Sequence, residues 1–276
     1  MTLQLTLSPS SNTTRCVRGC TRPVNGPVCT FYLTGKCNLR CSYCYEQGNQ
    51  PVPDLTTRQI DLYLGRFEAD PKIRIETMVL FGGEPCLRWD LVTHLAEATS
   101  KKRSAFQGTT KVLFTNGLLL TPQRLLQMQS WAMQLLLSFD GYDNRSDLRY
   151  GQQCADDVRR VEKTLSTAIA IGIPTTIVFT VGQHNIEFLQ DDMARLKETF
   201  GVNSFSVSTI QRLDLTASHI VGTRASVFKW ASRECVDIDW RHPKQLGTRY
   251  PSYFVSSSHN RYIAAGEQGT WDRTGW

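Results

Sequence analysis

The stretch Cys29-Thr30-Phe31-Tyr32-Leu33-Thr34-Gly35-Lys36-Cys37-Asn38-Leu39-Arg40-Cys41-Ser42-Tyr43-Cys44-Tyr45 decides how the chain is read. Residues 29–34 are rich in aromatic and β-branched side chains and read as a strand. The strand empties into a loop that carries three cysteines, Cys37, Cys41 and Cys44, spaced C-x3-C-x2-C. A structural zinc site closes with four ligands, and an ordinary iron–sulfur cluster takes four thiolates. Three thiolates in one short loop suit a four-iron cluster with one iron open to a substrate or cofactor. Zinc remains an alternative at this point, with Cys29 or His94 as a fourth ligand.

Downstream, β-rich runs alternate with helical periodicity. The pattern predicts strands at 29–34, 77–81, 111–115, 134–139, 175–181 and 204–210. Between them, helices are expected at 56–69, 89–104, from Thr121-Pro122 onward, at 156–171 and at 186–200. Ile60, Tyr63, Leu64 and Phe67 share one helical face, and Thr56 with Gln59 has the form of a capping box. The run at 134–139 is continuously apolar, as in strands buried on both faces. Six strands joined by helices imply an α/β fold with a parallel sheet and right-handed crossovers, either a partial barrel or an open doubly wound sheet. In both, chemistry gathers at the ends of the strands. A further helix is expected near 219–235, and the Pro/Gly- and tryptophan-containing remainder reads as a loop-rich cap.

Four consecutive strand ends carry small or polar groups. The cysteine loop follows the first strand. Phe81-Gly82-Gly83-Glu84-Pro85 follows the second, where two glycines permit close approach to the main chain and Glu84 offers acceptors to an ammonium group. Thr115-Asn116-Gly117 follows the third and Ser138-Phe139-Asp140-Gly141 the fourth. Asn-Gly and Asp-Gly are ordinary turn signals taken singly; their shared position on one rim is what points to a site.

With the C-x3-C-x2-C loop, an aromatic before its last cysteine (Tyr43) and GGEP at 82–85, the chain resembles the radical S-adenosylmethionine (SAM) superfamily over roughly residues 28–212. The Cys-Tyr-Cys-Tyr ending, the TNG turn and the Ser-x-Asp-Gly run leading to Asp147 and Arg149 are similar to the peptide- and protein-modifying branch, which includes anaerobic sulfatase-maturating enzymes and peptide maturases. The resemblance implies a partial (β/α)6 barrel with a small irregular C-terminal cap. Its domains would be an N-terminal arm (1–27), a radical SAM core (28–212) and the cap (213–276). It further implies that Cys37, Cys41 and Cys44 hold a [4Fe–4S] cluster whose fourth iron takes the amine and carboxylate of SAM. Gly82, Gly83, Glu84 and Pro85 would hold the amino group, and Tyr43 would lie near the adenine. Ser138 and Asp140 would contact the ribose or carboxylate, and Asn116 would complete the cofactor rim. One electron into the cluster would release a 5′-deoxyadenosyl radical that takes hydrogen from a substrate. The partners implied are a peptide or protein substrate, an external donor of the flavodoxin or ferredoxin type, and a separate leader-binding protein. No catalytic acid or base is legible.

Composition bounds these expectations. A chain of 276 residues holds a sizeable core without a disulfide framework. Nine cysteines at uneven spacing fit a reducing, cytoplasmic setting and metal ligation better than secreted disulfides. No apolar run approaches the roughly 20 residues of a membrane span, and residues 1–10 lack the pattern of a secretory signal. The net charge of +6 is concentrated in residues 1–45, where Arg15, Arg18, Arg22, Lys36 and Arg40 stand without an acid. The nearly neutral remainder argues against a broad nucleic-acid face.

Other residues read more plainly. Cys16, Cys20 and Cys29 are an alternative extra-metal set; Cys86 falls beside the expected SAM site; Cys154 and Cys235 read as structural. Trp230, Trp240, Trp271 and Trp276 read as core of the cap. The chain departs from the branch in having only Cys235 after residue 154, so auxiliary clusters are not expected, and residues before 28 are too few for a leader-binding domain. Rival functions are a glycyl-radical activase, a small nucleoside-modifying enzyme and a non-catalytic metal-binding module.

Overall fold

The structure, a computed structural model, describes residues 27–44, 52–101, 104–151, 154–210, 217–241 and 252–255. Within these, strands β1 (Val28–Tyr32), β2 (Thr77–Phe81), β3 (Thr110–Thr115), β4 (Met133–Ser138), β5 (Thr175–Val181), β6 (Ser204–Thr209), β7 (Asp237–Arg241) and β8 (Ser252–Val255) form one sheet. Its order is β7-β6-β5-β4-β3-β2-β1-β8, and every pair is parallel. The sheet is not closed, and the architecture is a partial α/β barrel.

Helices α1 (Thr57–Ala69), α2 (Trp89–Ser100) and α3 (Pro122–Ser130) connect the first four strands. A short α4 (Asp147–Tyr150) and a long α5 (Cys154–Ala170) precede β5, and α6 (Leu189–Phe200) and α7 (Ala217–Glu234) precede β6 and β7. Local sequence accounts for their ends. The Thr56–Gln59 capping box forms in full, and the Thr121 hydroxyl accepts from the Arg124 amide ahead of Pro122. Gly201 ends α6 in the left-handed conformation, at φ +73°. The apolar stripe of α1, Ile60, Tyr63, Leu64 and Phe67, is buried as expected. Each such side chain contributes about 1.5–3 kcal/mol relative to exposure.

The register aligns rows across the sheet. Leu137 on β4 lies opposite Ile177 on β5, which lies opposite Phe205 on β6, and all are buried. Leu137 borders Gly117 together with Thr164 of α5, so this face packs under the helices. The other face is less covered. Phe81, Phe114 and Leu136 are only half-buried there, with Phe81 and Phe114 ring centroids 5.2 Å apart. The run at 134–139 is therefore not sealed on both sides: its inner face lines the concave side of the barrel, next to the strand ends that carry the site.

Two strands lie where a loop-rich cap was expected. β7 and β8 extend the sheet at its two edges, beside β6 and β1. In β7, Ile238 and Trp240 alternate with Asp237, Asp239 and Arg241, a period of two with charge on the other face, as suits an edge strand. Trp230 and Trp240 are buried core residues. Three helices differ at their ends: α2 stops at Ser100 before a separate turn at 104–106, α5 starts at Cys154, and α6 starts at Leu189 after a turn at 186–188. Cys16, Cys20, Trp271 and Trp276 lie outside the described residues.

Candidate active site

Because all strands are parallel, the loops after β1 to β5 leave along one edge. The cysteine loop and the Gly82–Pro85 segment are joined there main chain to main chain. The Gly83 amide donates to the Thr34 carbonyl (2.7 Å) and the Glu84 amide to the Lys36 carbonyl (2.8 Å). The two glycines make this possible. A Cβ on Gly82, which sits at φ +153°, would stand 2.5 Å from the Thr34 oxygen, and a Cβ on Gly83 would run into the Lys36 carbonyl. The close approach expected of a ligand at this backbone is made, in the chain itself, by the neck of the cysteine loop.

Glu84 is 1 % exposed, and its carboxylate is committed. One oxygen accepts from the Cys86 amide (2.9 Å) and the Thr115 hydroxyl (2.7 Å), the other from the Asn116 amide (2.9 Å). Burial raises its pKa against these donors. The expectation that this carboxylate receives an ammonium group thus meets a side chain already engaged by three protein donors. Asn116 also reaches outward: its Nδ2 donates to Asn38 Oδ1 at 2.9 Å, tying the turn after β3 to the cysteine loop. Cys86 is buried beside this network, its sulfur 3.4 Å from the Thr115 hydroxyl.

Asp140 is fully buried at the end of β4. Its carboxylate accepts from the Tyr43 hydroxyl, from Arg149 Nη2 (2.9 Å) and from the Thr180 amide (3.2 Å). The Arg149 guanidinium stands 5.7 Å from the Tyr43 ring centroid. Burial opposes the Arg149 charge most strongly, but Asp140 together with Tyr43, Cys41 and Tyr150 outweighs it, and its pKa lies above the usual arginine value. Ser138 is buried at the last position of β4, opposite Val178. Asn185 locks the turn after β5, donating to the main-chain carbonyls of Asp140 (2.9 Å) and Thr180 (3.0 Å). Next to it, both ring nitrogens of His184 are buried and without a hydrogen-bond partner. Burial depresses its pKa, with Asp140 and Arg149 acting in opposite senses.

The three loop cysteines are half-buried, and none is in a disulfide. The Leu39 amide donates to Cys37 Sγ at 3.4 Å, a contact that favours a thiolate at that sulfur. Burial pushes the Cys41 thiol up to about 11, with Arg149 pulling the other way, and burial also raises Cys37. Among the described residues, no three His, Cys, Asp or Glu side chains converge as one metal ion requires. A tetrahedral ion with Zn–S bonds of about 2.3 Å would bring its sulfurs within about 4 Å of one another. A four-iron cube joins each thiolate to a different iron and spaces them more widely. The alternative zinc ligands are engaged elsewhere: Cys29 is in the core of β1, and His94 Nε2 is 2.8 Å from Asp61 Oδ1 between α2 and α1. The donor set, three loop thiols with an N–H···S contact and a cation at hand, fits a cluster of this kind.

The fold brings the expected residues Cys37, Cys41, Cys44, Tyr43, Gly82 to Pro85, Asn116, Ser138 and Asp140 to one rim. Sequence reasoning missed residues that tie them together, Asn38, Thr180 and Asn185, and the buried His184 beside them; Thr115 entered only within the turn after the third strand. Arg149 was noted only as part of a motif. The His-Asn pair after an apolar strand was the available signal for His184 and Asn185.

Comparison with known proteins decides the family. The model of the Radical SAM superfamily matches residues 31–196.

The chain belongs to the radical SAM superfamily.

Radical SAM proteins use a [4Fe–4S] cluster and SAM. The chain is 25 % identical over 234 residues to the sporulation killing factor maturation protein SkfB of Bacillus subtilis (strain 168), covering 80 % of this chain and 54 % of that one. It is 34 % identical over 121 residues to the GTP 3′,8-cyclase of Parasynechococcus marenigrum (strain WH8102), covering 42 % of this chain and 34 % of the cyclase. It therefore spans about half the length of SkfB and a third of the cyclase. Among solved structures, anSMEcpe with bound AdoMet and Cp18Cys peptide superposes with a TM-score of 0.65 over 77 % of this chain and 63 % of that one, at 17 % identity. That likeness supports the radical SAM fold.

Proposed function

We propose that this chain is a radical SAM enzyme that takes hydrogen from a peptide or protein side chain. The observation that carries the reading is the main-chain junction between the cysteine loop and Gly82–Glu84. Cys37, Cys41 and Cys44 would hold the cluster, and the Gly82–Pro85 segment would hold the amino group of SAM through its main chain, since the Glu84 carboxylate is engaged. When bound, cluster and SAM supply a one-electron cleavage that ends in 5′-deoxyadenosine. The chain's own residues orient and exclude water. Tyr43 is held at the rim through Asp140, Ser138 presents a hydroxyl at the end of β4, and Asn116 braces the loop through Asn38. The half-buried Phe81, Phe114 and Leu136 offer an apolar floor for a substrate. A peptide is favoured because SkfB, which aligns over most of this chain, is named as a maturation protein. An external low-potential electron donor, a separate leader-binding protein and a cytoplasmic setting belong to the same proposal. So does the division into an arm, a core at 28–212 and a C-terminal region. Among the described residues, no helix is long and apolar enough to cross a membrane.

A second reading, a nucleotide substrate, is favoured by the 34 % identity to a GTP 3′,8-cyclase. Anaerobic reconstitution with iron and sulfide, followed by SAM and reductant, is expected to yield 5′-deoxyadenosine in the wild type and none in Cys41→Ala. Absence of the product from a wild type carrying a four-iron cluster would sink the enzymatic reading. Co-expression with peptides encoded on the same transcript, read by mass, separates peptide from nucleotide: a loss of about two hydrogens supports the first. GTP consumption with no peptide change supports the second.

A further inference from the structure

The segment that carries the three cysteines leaves β1 after Tyr32 and comes back against Leu33 at Leu55, just ahead of α1. Entrance and exit touch. The Leu55 amide donates to the Leu33 carbonyl (2.9 Å), and the Gly35 amide donates to the Val52 carbonyl (2.9 Å). Asp54 sits in this neck with three donors on its carboxylate. Thr34 Oγ1 donates to Oδ1 at 2.6 Å. Lys36 Nζ (3.2 Å) and Arg88 Nη1 (2.8 Å) both reach Oδ2. Arg88 comes from the turn that follows Gly82–Pro85 and is itself fixed by Asp90, through Nε (3.0 Å) and Nη2 (2.7 Å). Thr34 also accepts from the Lys36 amide at 3.1 Å.

Resting on the reading given above, we propose that Asp54 is the positioning residue of the cluster site. It closes the neck of the cysteine loop and sets that loop against the Gly82–Glu84 segment. Three features support the assignment. One carboxylate joins, through side chains, three stretches of chain that main-chain bonds also bring together: the entrance of the loop, its exit, and the turn after β2. Two of its donors are cations, and charge-assisted bonds are shorter and stronger than neutral ones. Pinning the ends of a loop removes much of the freedom of everything between them, and here everything between them includes Cys37, Cys41 and Cys44. The side-chain bonds of Asp54 run to Thr34, Lys36 and Arg88. It acts through Thr34 and Lys36, whose carbonyls receive the Gly83 and Glu84 amides. The relation is that of an outer partner fixing groups that hold a metal centre.

The test compares wild type, Asp54→Asn and Asp54→Ala as full chains. Hydrogen exchange of the metal-free proteins comes first. Loss of the neck bonds is expected to raise exchange at the amides of Gly35, Gly83 and Glu84 by about tenfold in Asp54→Ala, while the amides of α5 stay as in wild type. The asparagine, which keeps one oxygen to accept from Thr34 and turns an NH2 toward Lys36 and Arg88, is expected to restore part of the protection. A general loss of stability would instead raise exchange in all elements together. Uniform change, or no change, at these amides overturns the proposal whether or not the wild type takes up a cluster. Iron release to a chelator after anaerobic reconstitution gives the second readout, expected to be about tenfold faster in Asp54→Ala. If Asp54→Ala does not fold, Thr34→Val carries the same expectation. Wild-type exchange behaviour in both variants sinks the assignment, whereas a wild type without a four-iron cluster sinks the proposed function.

Discussion

The Tyr43 hydroxyl donates to Asp140, joining the cysteine loop to the end of β4 across the rim of the barrel. Replacing Tyr43 with Phe removes this tie while Arg149 and the Thr180 amide remain on the carboxylate. A hydrogen bond to a charged group is worth about 1.5–3 kcal/mol. Urea unfolding of Tyr43→Phe is expected to show a loss of that order, and a variant as stable as wild type would remove Asp140 as the anchor of the loop.

Two glycines make a matched pair of tests. In Gly83→Ala the new methyl meets the Lys36 carbonyl, with its carbon 2.8 Å away, and the Glu84–Lys36 bond must open. At Gly65 in α1 nothing lies within 4 Å of a Cβ. Thermal melts are expected to show Gly65→Ala more stable by about 0.5–1 kcal/mol. Gly83→Ala is expected to be destabilised by more than about 1 kcal/mol and to take up less iron on reconstitution.

His184 gives the protein an acid sensitivity. Its folded pKa lies below the unfolded value of about 6.5. Between the two values the unfolded chain binds the extra proton, so stability from this residue is complete above about pH 6.5 and falls as pH drops through the folded pKa. The charged groups facing the ring are Asp140, which favours protonation, and Arg149, which opposes it. Urea midpoints at pH 7.5 and pH 5.5 are expected to differ less in His184→Gln than in wild type. Equal differences would mean that the imidazole is not held neutral.

The Arg145–Asp192 pair is paired through two nitrogens, Nε at 2.9 Å and Nη2 at 2.8 Å, and Asp192 is 2 % exposed. Arg145→Ala leaves a buried carboxylate unpaired, at a cost of about 3–5 kcal/mol. The double variant Arg145→Met/Asp192→Leu is expected to lose less than that single change in denaturant titrations. A double variant less stable than Arg145→Ala would show that the pair contributes more than its own desolvation.

The alternation of strands and helices was legible because parallel strands and amphipathic helices carry different periods, and the caps at Thr56 and Thr121 marked where helices begin. β7 was harder to see. Only Ile238 and Trp240 are apolar in it, and its partner β6 fixes it through register more than its own composition does. Among site residues, Cys37, Cys41, Cys44 and Gly82 to Pro85 stood out by spacing. Asn38, Thr180, Asn185 and Asp54 did not. Their roles come from contacts between distant segments, such as Asn38 with Asn116, and a linear sequence holds no local mark of such pairs. Glu84 shows the converse: its position was legible, but the direction its carboxylate faces was not.

The Leu33–Leu55 neck makes the cysteine-bearing stretch a detour from the sheet. A detour that begins and ends at one point can be lengthened, shortened or swapped without shifting β1 or α1. Grafting a differently sized detour between these two leucines is therefore a route to altering the chemistry at the rim while leaving the scaffold in place.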